Sequence, residues 1–118
     1  MDQQDYLDFL MEVLQATADT KGNPQIVYTL LQANLDKLDN NFIAILQNWA
    51  ETKLSKVESS EAENIAIYIG NFSNLIWNFP FGSKATNLEI SIACYEIVLA
   101  IFTHDSNPEN WAMTQNNL

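Results

Sequence analysis

Residues 86–118 constrain the fold more than any other stretch of the sequence. Between Thr86 and Phe102, apolar residues recur on two faces of a helix, so other helices must cover this helix on at least two sides. A polar turn follows, and Asn107-Pro108 is typical of a further helix start, since asparagine caps and proline is tolerated in the first turn. The stretch therefore predicts a helix buried within an α-helical assembly.

Helical periodicity also runs through the preceding part of the chain. Apolar residues recur at intervals of three and four within residues 2–19, 24–38, 40–57 and 61–79, which is the spacing of one helix face. Nowhere do apolar and polar residues alternate over four or more positions between turn signals. We expect an all-α fold of five to six antiparallel helices forming a single domain.

Several helix ends are predicted from local motifs. Gly22 suits the left-handed position after the first helix. Asn23, followed by Pro24, is the expected cap of the second helix, and Asp39 is the expected cap of the third. Two capping boxes of the S/T-x-x-E type are predicted, at Ser60–Glu63 and at Thr86–Glu89. Gly70 weakens the fourth helix and therefore predicts close approach of a neighbouring helix.

Charge limits the classes of partner. The net charge is -10, from fifteen acidic residues against five lysines, so phosphate-rich nucleic acid and acidic membranes are poor partners. No apolar run approaches the roughly 20 residues of a membrane span. The acidic N-terminus is unlike a signal peptide, and a lone cysteine cannot form an internal disulfide. We expect a cytoplasmic protein.

Candidate chemical groups are few. Cys94 lies in an apolar run without basic neighbours, whereas a reactive thiolate needs an electropositive setting; we interpret Cys94 as a buried hydrophobe and His104 as a polar residue near a helix end. Asp5, Asp8 and Glu12 form a stripe that we interpret as a solvated helix face. The sequence predicts no catalytic residue, no cofactor and no metal site, and therefore no enzyme.

The segments ISIACYEIVL and NPENWAMTQNNL resemble the second helix of one tetratricopeptide repeat (TPR) followed by the first helix of the next. In this 34-residue pattern, Ser91 takes the small position and Tyr95 the aromatic one. Val98 stands where the family prefers alanine, and Gln115 where it has tryptophan. Leu118 matches the leucine before the repeat's glycine. The resemblance implies a TPR-like α-α superhelix.

More broadly, the chain resembles the region that precedes the repeats in cyanobacterial TPR proteins with a caspase-like CHAT domain. The resembling segments are FLMEVLQAT, LLQANLDKLDNNF, IGNFSNLI, NLEISIACYEIVL and PENWAMTQNNL. The resemblance implies a non-repeat helical cap at residues 1–80 and the start of a TPR-like helical pair at residues 84–118. It also implies that Leu118 is a cut edge and that this segment has no catalytic role.

The resemblance further implies a non-catalytic scaffold or adaptor domain that binds a protein or peptide. Asn117 matches the family's asparagine that hydrogen-bonds a peptide backbone, and Met113 lies one turn before it. The alternative for Asn117 is an ordinary surface residue. Trp111, in the same amphipathic helix, is either buried or exposed. Residues 108–118 could also mediate a homodimer.

A second hypothesis is a small-molecule sensor. Aromatic residues cluster in the fourth and fifth helices, and a pocket between these helices would be lined by Phe72, Trp77, Tyr95 and Phe102. A packed helix interface would argue against such a pocket, and a cavity lined by the tips of these side chains would favour it. Trp77 also lies close to an apolar stripe, which predicts that it belongs to the core.

Overall fold

The structure is a computed structural model that describes residues 2–102. Its helices are α1 (Gln3–Thr20), α2 (Pro24–Ala33), α3 (Asn40–Leu54), α4 (Ser59–Asn78) and α5 (Lys84–Ile101). A 3-10 turn, Leu35–Lys37, lies between α2 and α3. The described residues are 83% helical and include no strand, which confirms the all-α prediction. The predicted sixth helix lies outside the described residues.

An aromatic chain at the centre of the core joins three helices. Phe42 of α3 is fully buried, and its ring lies 5.5 Å from that of Phe9 in α1 and 6.3 Å from that of Phe72 in α4. Burying each such side chain contributes about 1.5–3 kcal/mol. α1 accordingly contacts α2, α3 and α4, while α5 contacts α4 and α3.

Hydrogen bonds of the Asp39 side chain connect the start of α3 with α1. One carboxylate oxygen of Asp39 accepts the Phe42 backbone N–H at 3.1 Å, which is the predicted helix cap. The other accepts the Tyr6 hydroxyl at 2.6 Å. The hydrogen bond to Asp39, together with burial, raises the pKa of Tyr6. The predicted cap is therefore confirmed, and the same side chain also forms a hydrogen bond between α1 and the start of α3.

Two residues at the end of α1 are left-handed, where the sequence predicts one. Gly22 has φ +78°, as expected, but Lys21 before it also has φ +55°. The turn is closed by the Gly22 N–H, which donates to the Thr17 carbonyl at 2.8 Å. The left-handed conformation of Lys21 is strained, because the Cβ of an L-residue then lies close to the following carbonyl oxygen.

Both predicted capping boxes are wrong. α4 begins at Ser59 with Glu58 in the extended N-cap conformation and no side-chain cap hydrogen bond, so Ser60 lies inside the first turn. α5 begins at Lys84 because Ser83 Oγ accepts the Thr86 N–H at 3.3 Å. Asn87 Nδ2 also donates to the Phe81 carbonyl at 2.8 Å, which holds the preceding turn in place.

α4 and α5 form a closely packed antiparallel pair. Ser73 Oγ donates to the Ser91 carbonyl at 2.9 Å, and Ser91 Oγ donates to the Ser73 carbonyl at 3.1 Å. Both serines are fully buried, so the contact depends on two small polar residues. A Cβ added at Gly70 would lie 3.9 Å from Val98 Cγ2. This is an ordinary contact distance, so α5 does lie against Gly70, but its approach does not require glycine.

Two residues expected inside the fold are exposed. Trp77 is 43% exposed although it lies close to an apolar stripe, and Ile92 is 44% exposed although it falls on an apolar stripe of the fifth helix. Trp49, in contrast, is partly buried against the core. The exposure of Ile92 shows that one side of α5 is left uncovered by the rest of the described chain.

Candidate functional site

The uncovered side of α5 faces α3 across an open groove. Residues early in α3, such as Asn40 and Ile43, line the groove together with Glu89 and Ile92, which lie early in α5. Residues late in α3, such as Leu54, line it together with late residues of α5. The two helices therefore run in the same direction, with α4 connecting them in the opposite direction.

We call this feature the α3–α5 groove. Its α3 side is formed by Asn40, Ile43, Ala44, Gln47, Ala50, Glu51 and Leu54, and its α5 side by Glu89, Ile92, Ala93, Glu96, Ile97 and Ala100. It consists of two adjoining depressions of about 390 Å³ each, which share Gln47, Ala93 and Glu96. The shared residues make the groove continuous along both helices.

The groove combines an apolar floor with an acidic rim. Ala50 and Ala93 are buried beneath it, and Ile97 and Leu54 are half-buried along its walls. Glu51, Glu89 and Glu96 are exposed at its edges, and among residues 2–102 no lysine lines it. An occupant therefore gains by burying apolar surface and by placing positive charge at the edges.

Helical spacing explains why these residues share one side. On α5 the lining residues fall at i, i+3, i+4, i+7, i+8 and i+11, counted from Glu89. On α3 they follow the same steps of three and four from Asn40. Such steps keep side chains on a single helix face. Because α3 and α5 contact each other, these stripes border a trough along their line of contact, over which a third helix can lie.

The lining is unlike that of a small-molecule site. Volumes of about 390 Å³ lie within the range of ligand pockets, which is roughly 300–1,000 Å³, so size alone does not decide. Ligand pockets are, however, rich in aromatic residues and enclose most of the ligand. In the described part of the chain, no aromatic residue lines the α3–α5 groove, and the groove is open along its length, which suits a helix laid into it.

The aromatic residues of the sensor hypothesis do not share one environment. Phe72, Tyr95 and Phe102 are buried, whereas Trp77 is exposed. Tyr95 donates its hydroxyl to Asn74 Oδ1, and burial raises the pKa of Tyr95. Within residues 2–102, the paired serines close the interface between α4 and α5 at that point, and such a packed interface argues against the sensor hypothesis.

Cys94 is fully buried, and burial raises the pKa of its thiol well above the usual range. The thiol therefore stays protonated and shielded, which confirms the interpretation of Cys94 as a buried hydrophobe. His104 lies outside residues 2–102, and so do Trp111, Met113 and Asn117, the predicted peptide-binding residues. Their roles stay predictions.

The acidic stripe of α1 lies on the surface, as predicted. Asp5, Asp8 and Glu12 are exposed and line a shallow depression together with Asn34 and Lys37. The lysine amine donates to Asn34 Oδ1 at 2.9 Å. Within residues 2–102, no cluster of three or more His, Cys, Asp or Glu side chains is suited to a metal ion.

The α3–α5 groove was not predicted from the sequence. Its signal is present in α5, where Glu89 and Glu96 interrupt the apolar stripe that contains Ile92. Charged residues inside a stripe indicate a face that is only partly covered. Periodicity alone does not show which neighbouring helix leaves that face open.

The fold thus defines an all-α domain with an open groove between two parallel helices. Within residues 2–102, no helix has the length and apolarity required to cross a membrane. We compared the chain with protein-family models, with curated proteins and with solved structures, and none of the three comparisons returned a significant match.

Proposed function

We propose that the chain is a non-catalytic, helical protein-interaction domain that caps an array of TPR repeats. In this proposal residues 1–80 form the non-repeat cap, and residues 84–118 begin the first repeat-like pair. The domain acts as a scaffold or adaptor in the cytoplasm, and residues 108–118 provide a second contact surface that also allows homodimerisation.

One observation carries the proposal: α3 and α5 run parallel and contact each other, while the intervening α4 runs antiparallel and packs against α5. Stacked helical hairpins produce this relation between alternate helices, because each repeat contacts its neighbour in the same way. The burial of Ser91 against Ser73 also suits the small-residue position that the resemblance gives to Ser91. Both observations support a repeat-like stack but do not depend on any catalytic group.

The acidic surface suits the terminal position. A terminal unit of a repeat array needs a polar outer face for solubility. Asp5, Asp8 and Glu12 supply such a face on α1, where all three carboxylates are exposed. The groove lies on a different face, lined by α3 and α5, so the outer face and the binding face are separate.

A fusion experiment tests the capping role. The chain is joined directly after Leu118 to the rest of a consensus TPR repeat and two further consensus repeats, and thermal unfolding is followed by circular dichroism. We expect one cooperative transition and a Tm about 5 °C or more above that of the consensus array alone, because a cap adds one more interface.

The control is the same fusion with two extra residues after Leu118. Two residues rotate the following helix by about 200°, which turns its apolar face away from the cap. We expect this control to lose the gain in Tm. Two independent transitions in the direct fusion, with the array unfolding at its own Tm, would contradict the capping proposal.

A further inference from the structure

We infer that the α3–α5 groove binds an amphipathic helix that has lysine or arginine on both sides of a narrow apolar stripe. The inference rests on the proposed function, since it names the chemistry of the partner that an interaction domain would take. It concerns a surface within the described residues and does not depend on the repeat array.

The shape of the groove favours a helix as the occupant. From Asn40 to Leu54 the α3 side spans fourteen residue steps, or about 21 Å at 1.5 Å per residue. This length corresponds to about four helical turns. The buried Ala50 and Ala93 leave the middle of the groove low, so the occupant must supply larger apolar side chains there.

The exposed apolar residues of the groove favour an amphipathic partner. Ile92 is 44% exposed, and Ile43, which lines the same depression, is half-buried against the core, so both isoleucines keep apolar surface that residues 2–102 leave open to solvent. A partner that buries both removes apolar surface from water, which contributes roughly 25 cal/mol per Å². A purely polar helix would lose this contribution.

The charges at the rim favour a basic partner. Glu89 and Glu96 are seven residues apart on α5, so their carboxylates are separated by about two turns, or 10.5 Å along the axis. Glu51 lies on the α3 side. Cations at positions i and i+7 of the occupant match the two α5 glutamates, and a further cation on its other edge matches Glu51.

Charge also disfavours the two nearest alternatives. The segment 103–118 of this chain contains Asp105 and Glu109 but neither lysine nor arginine, so it brings negative charge to an acidic rim. A second copy of the chain brings a net charge of -10. Like charges placed close together oppose association in both cases.

The test uses a fluorescein-labelled, alanine-rich 21-residue peptide with leucine at the a and d positions of three heptads and lysine at the flanking positions. Fluorescence anisotropy measures its binding to the full chain. We expect Glu89→Lys/Glu96→Lys to weaken binding about tenfold, because two favourable pairs, each worth about 0.2–1 kcal/mol, become repulsive. We also expect weaker binding in 500 mM than in 50 mM salt.

Asp8→Lys/Glu12→Lys is the matched charge control. It changes the net charge by the same amount, but on the exposed face of α1. We expect binding to stay within about twofold of the unaltered chain, apart from weak long-range effects. Equal losses in the two double variants would show that the peptide senses only the net charge, and this would overturn the inference.

A second pair of variants tests the apolar wall. Ile92→Ser should weaken peptide binding about tenfold, since the isoleucine is buried by the peptide. Ile67→Ser is the control, because Ile67 is 50% exposed and lies on α4, outside the groove. Neither change removes a buried side chain, so circular dichroism should show the same fold and a similar Tm for both.

Three other outcomes would overturn the inference. The first is equal binding of the peptide to the unaltered chain and to every variant. The second is a dimer, seen by sedimentation, that Ile92→Lys dissociates, since a second copy would then be the occupant. The third is tighter peptide binding by Trp111→Ala, since residues 103–118 would then be the occupant. None of these results affects the Tm of the TPR fusion, so the capping proposal succeeds or fails separately.

Discussion

The two contacts of α5 differ in nearly every physical respect. Against α4, α5 presents the small, buried Ser91, whose hydroxyl and carbonyl are both paired with Ser73. Against α3, it presents Ile92, Glu89 and Glu96 along an open groove. The first contact has no spare surface, whereas the second has apolar surface and charge that the described chain does not use. The α4 side of α5 therefore contributes to the stability of the fold, whereas its α3 side keeps surface that a partner can contact.

The largest expected difference comes from adding bulk to each side of α5. Ser91→Leu should lower the free energy of unfolding by about 3 kcal/mol, because it overpacks the interface with α4 and removes buried hydrogen bonds. Ala100→Leu adds comparable bulk on the exposed groove side and should change the free energy of unfolding by about 0.5 kcal/mol or less. Urea unfolding followed by circular dichroism measures both. Similar losses in the two variants would contradict the distinction between the two sides.

A smaller effect is expected at Gly70. Gly70→Ala should raise the free energy of unfolding by about 1 kcal/mol, because alanine is the better helix former and its Cβ would meet Val98 Cγ2 at 3.9 Å without a clash. The same urea titration measures the change. Destabilisation would mean that α4 and α5 are too close for one additional methyl group, and the contact would then be tighter than its geometry indicates.

The smallest expected effect is a loss of stability at alkaline pH. Burial raises the pKa of Tyr95 above its usual value of 10.0, so the stability that Tyr95 contributes is complete below pH 10 and declines as the pH rises through the folded-state pKa. Thermal unfolding between pH 8 and pH 11 should show a falling Tm. Tyr95→Phe should reduce this decline without abolishing it, because Tyr6 and Tyr28 also have raised pKa values.

The α3–α5 groove provides a comparison for this pH series, since no tyrosine lines it within residues 2–102. Peptide binding measured between pH 8 and pH 9.5, where the fold is intact, should therefore be the same for the unaltered chain and for Tyr95→Phe. A difference between the two proteins would mean that the α4 side and the α3 side of α5 are coupled.

Much of the fold was predictable because its signals are local. The spacing of apolar residues indicates all five helices, and the caps at Asn23 and Asp39 place two helix starts correctly: Asn23 Oδ1 accepts the Gln25 N–H at 3.0 Å, and Asp39 accepts that of Phe42. The starts of α4 and α5 were predicted wrongly because the S/T-x-x-E pattern occurs inside each helix. α5 instead begins after Ser83, whose side chain caps the helix. The preceding turn, held by the hydrogen bond from Asn87 to the Phe81 carbonyl, places Ser83 at this position.

The candidate site was less predictable because it depends on tertiary arrangement. Periodicity places Ile92 on an apolar stripe, but whether Ile92 is covered depends on which helices pack against that face of α5, and α3 contacts α5 without covering Ile92. The same limit applies to Trp77, which lies next to a stripe and is exposed. The predicted site residues Trp111, Met113 and Asn117 lie outside the described part of the chain, and their roles still depend on the TPR resemblance.

The parallel course of α3 and α5 gives the groove a direction. Aligned peptide dipoles place about half a positive charge at the N-terminus of each helix and about half a negative charge at its C-terminus. Both N-termini lie at the Asn40 end of the groove, and both C-termini at the Leu54 end. A bound helix with its C-terminus at the Asn40 end runs antiparallel to α3 and α5, and its dipole is attracted by theirs. A bound helix in the opposite orientation runs parallel to them, and the dipoles repel. The groove should therefore distinguish a peptide from its reversed sequence, even when composition and charge are identical.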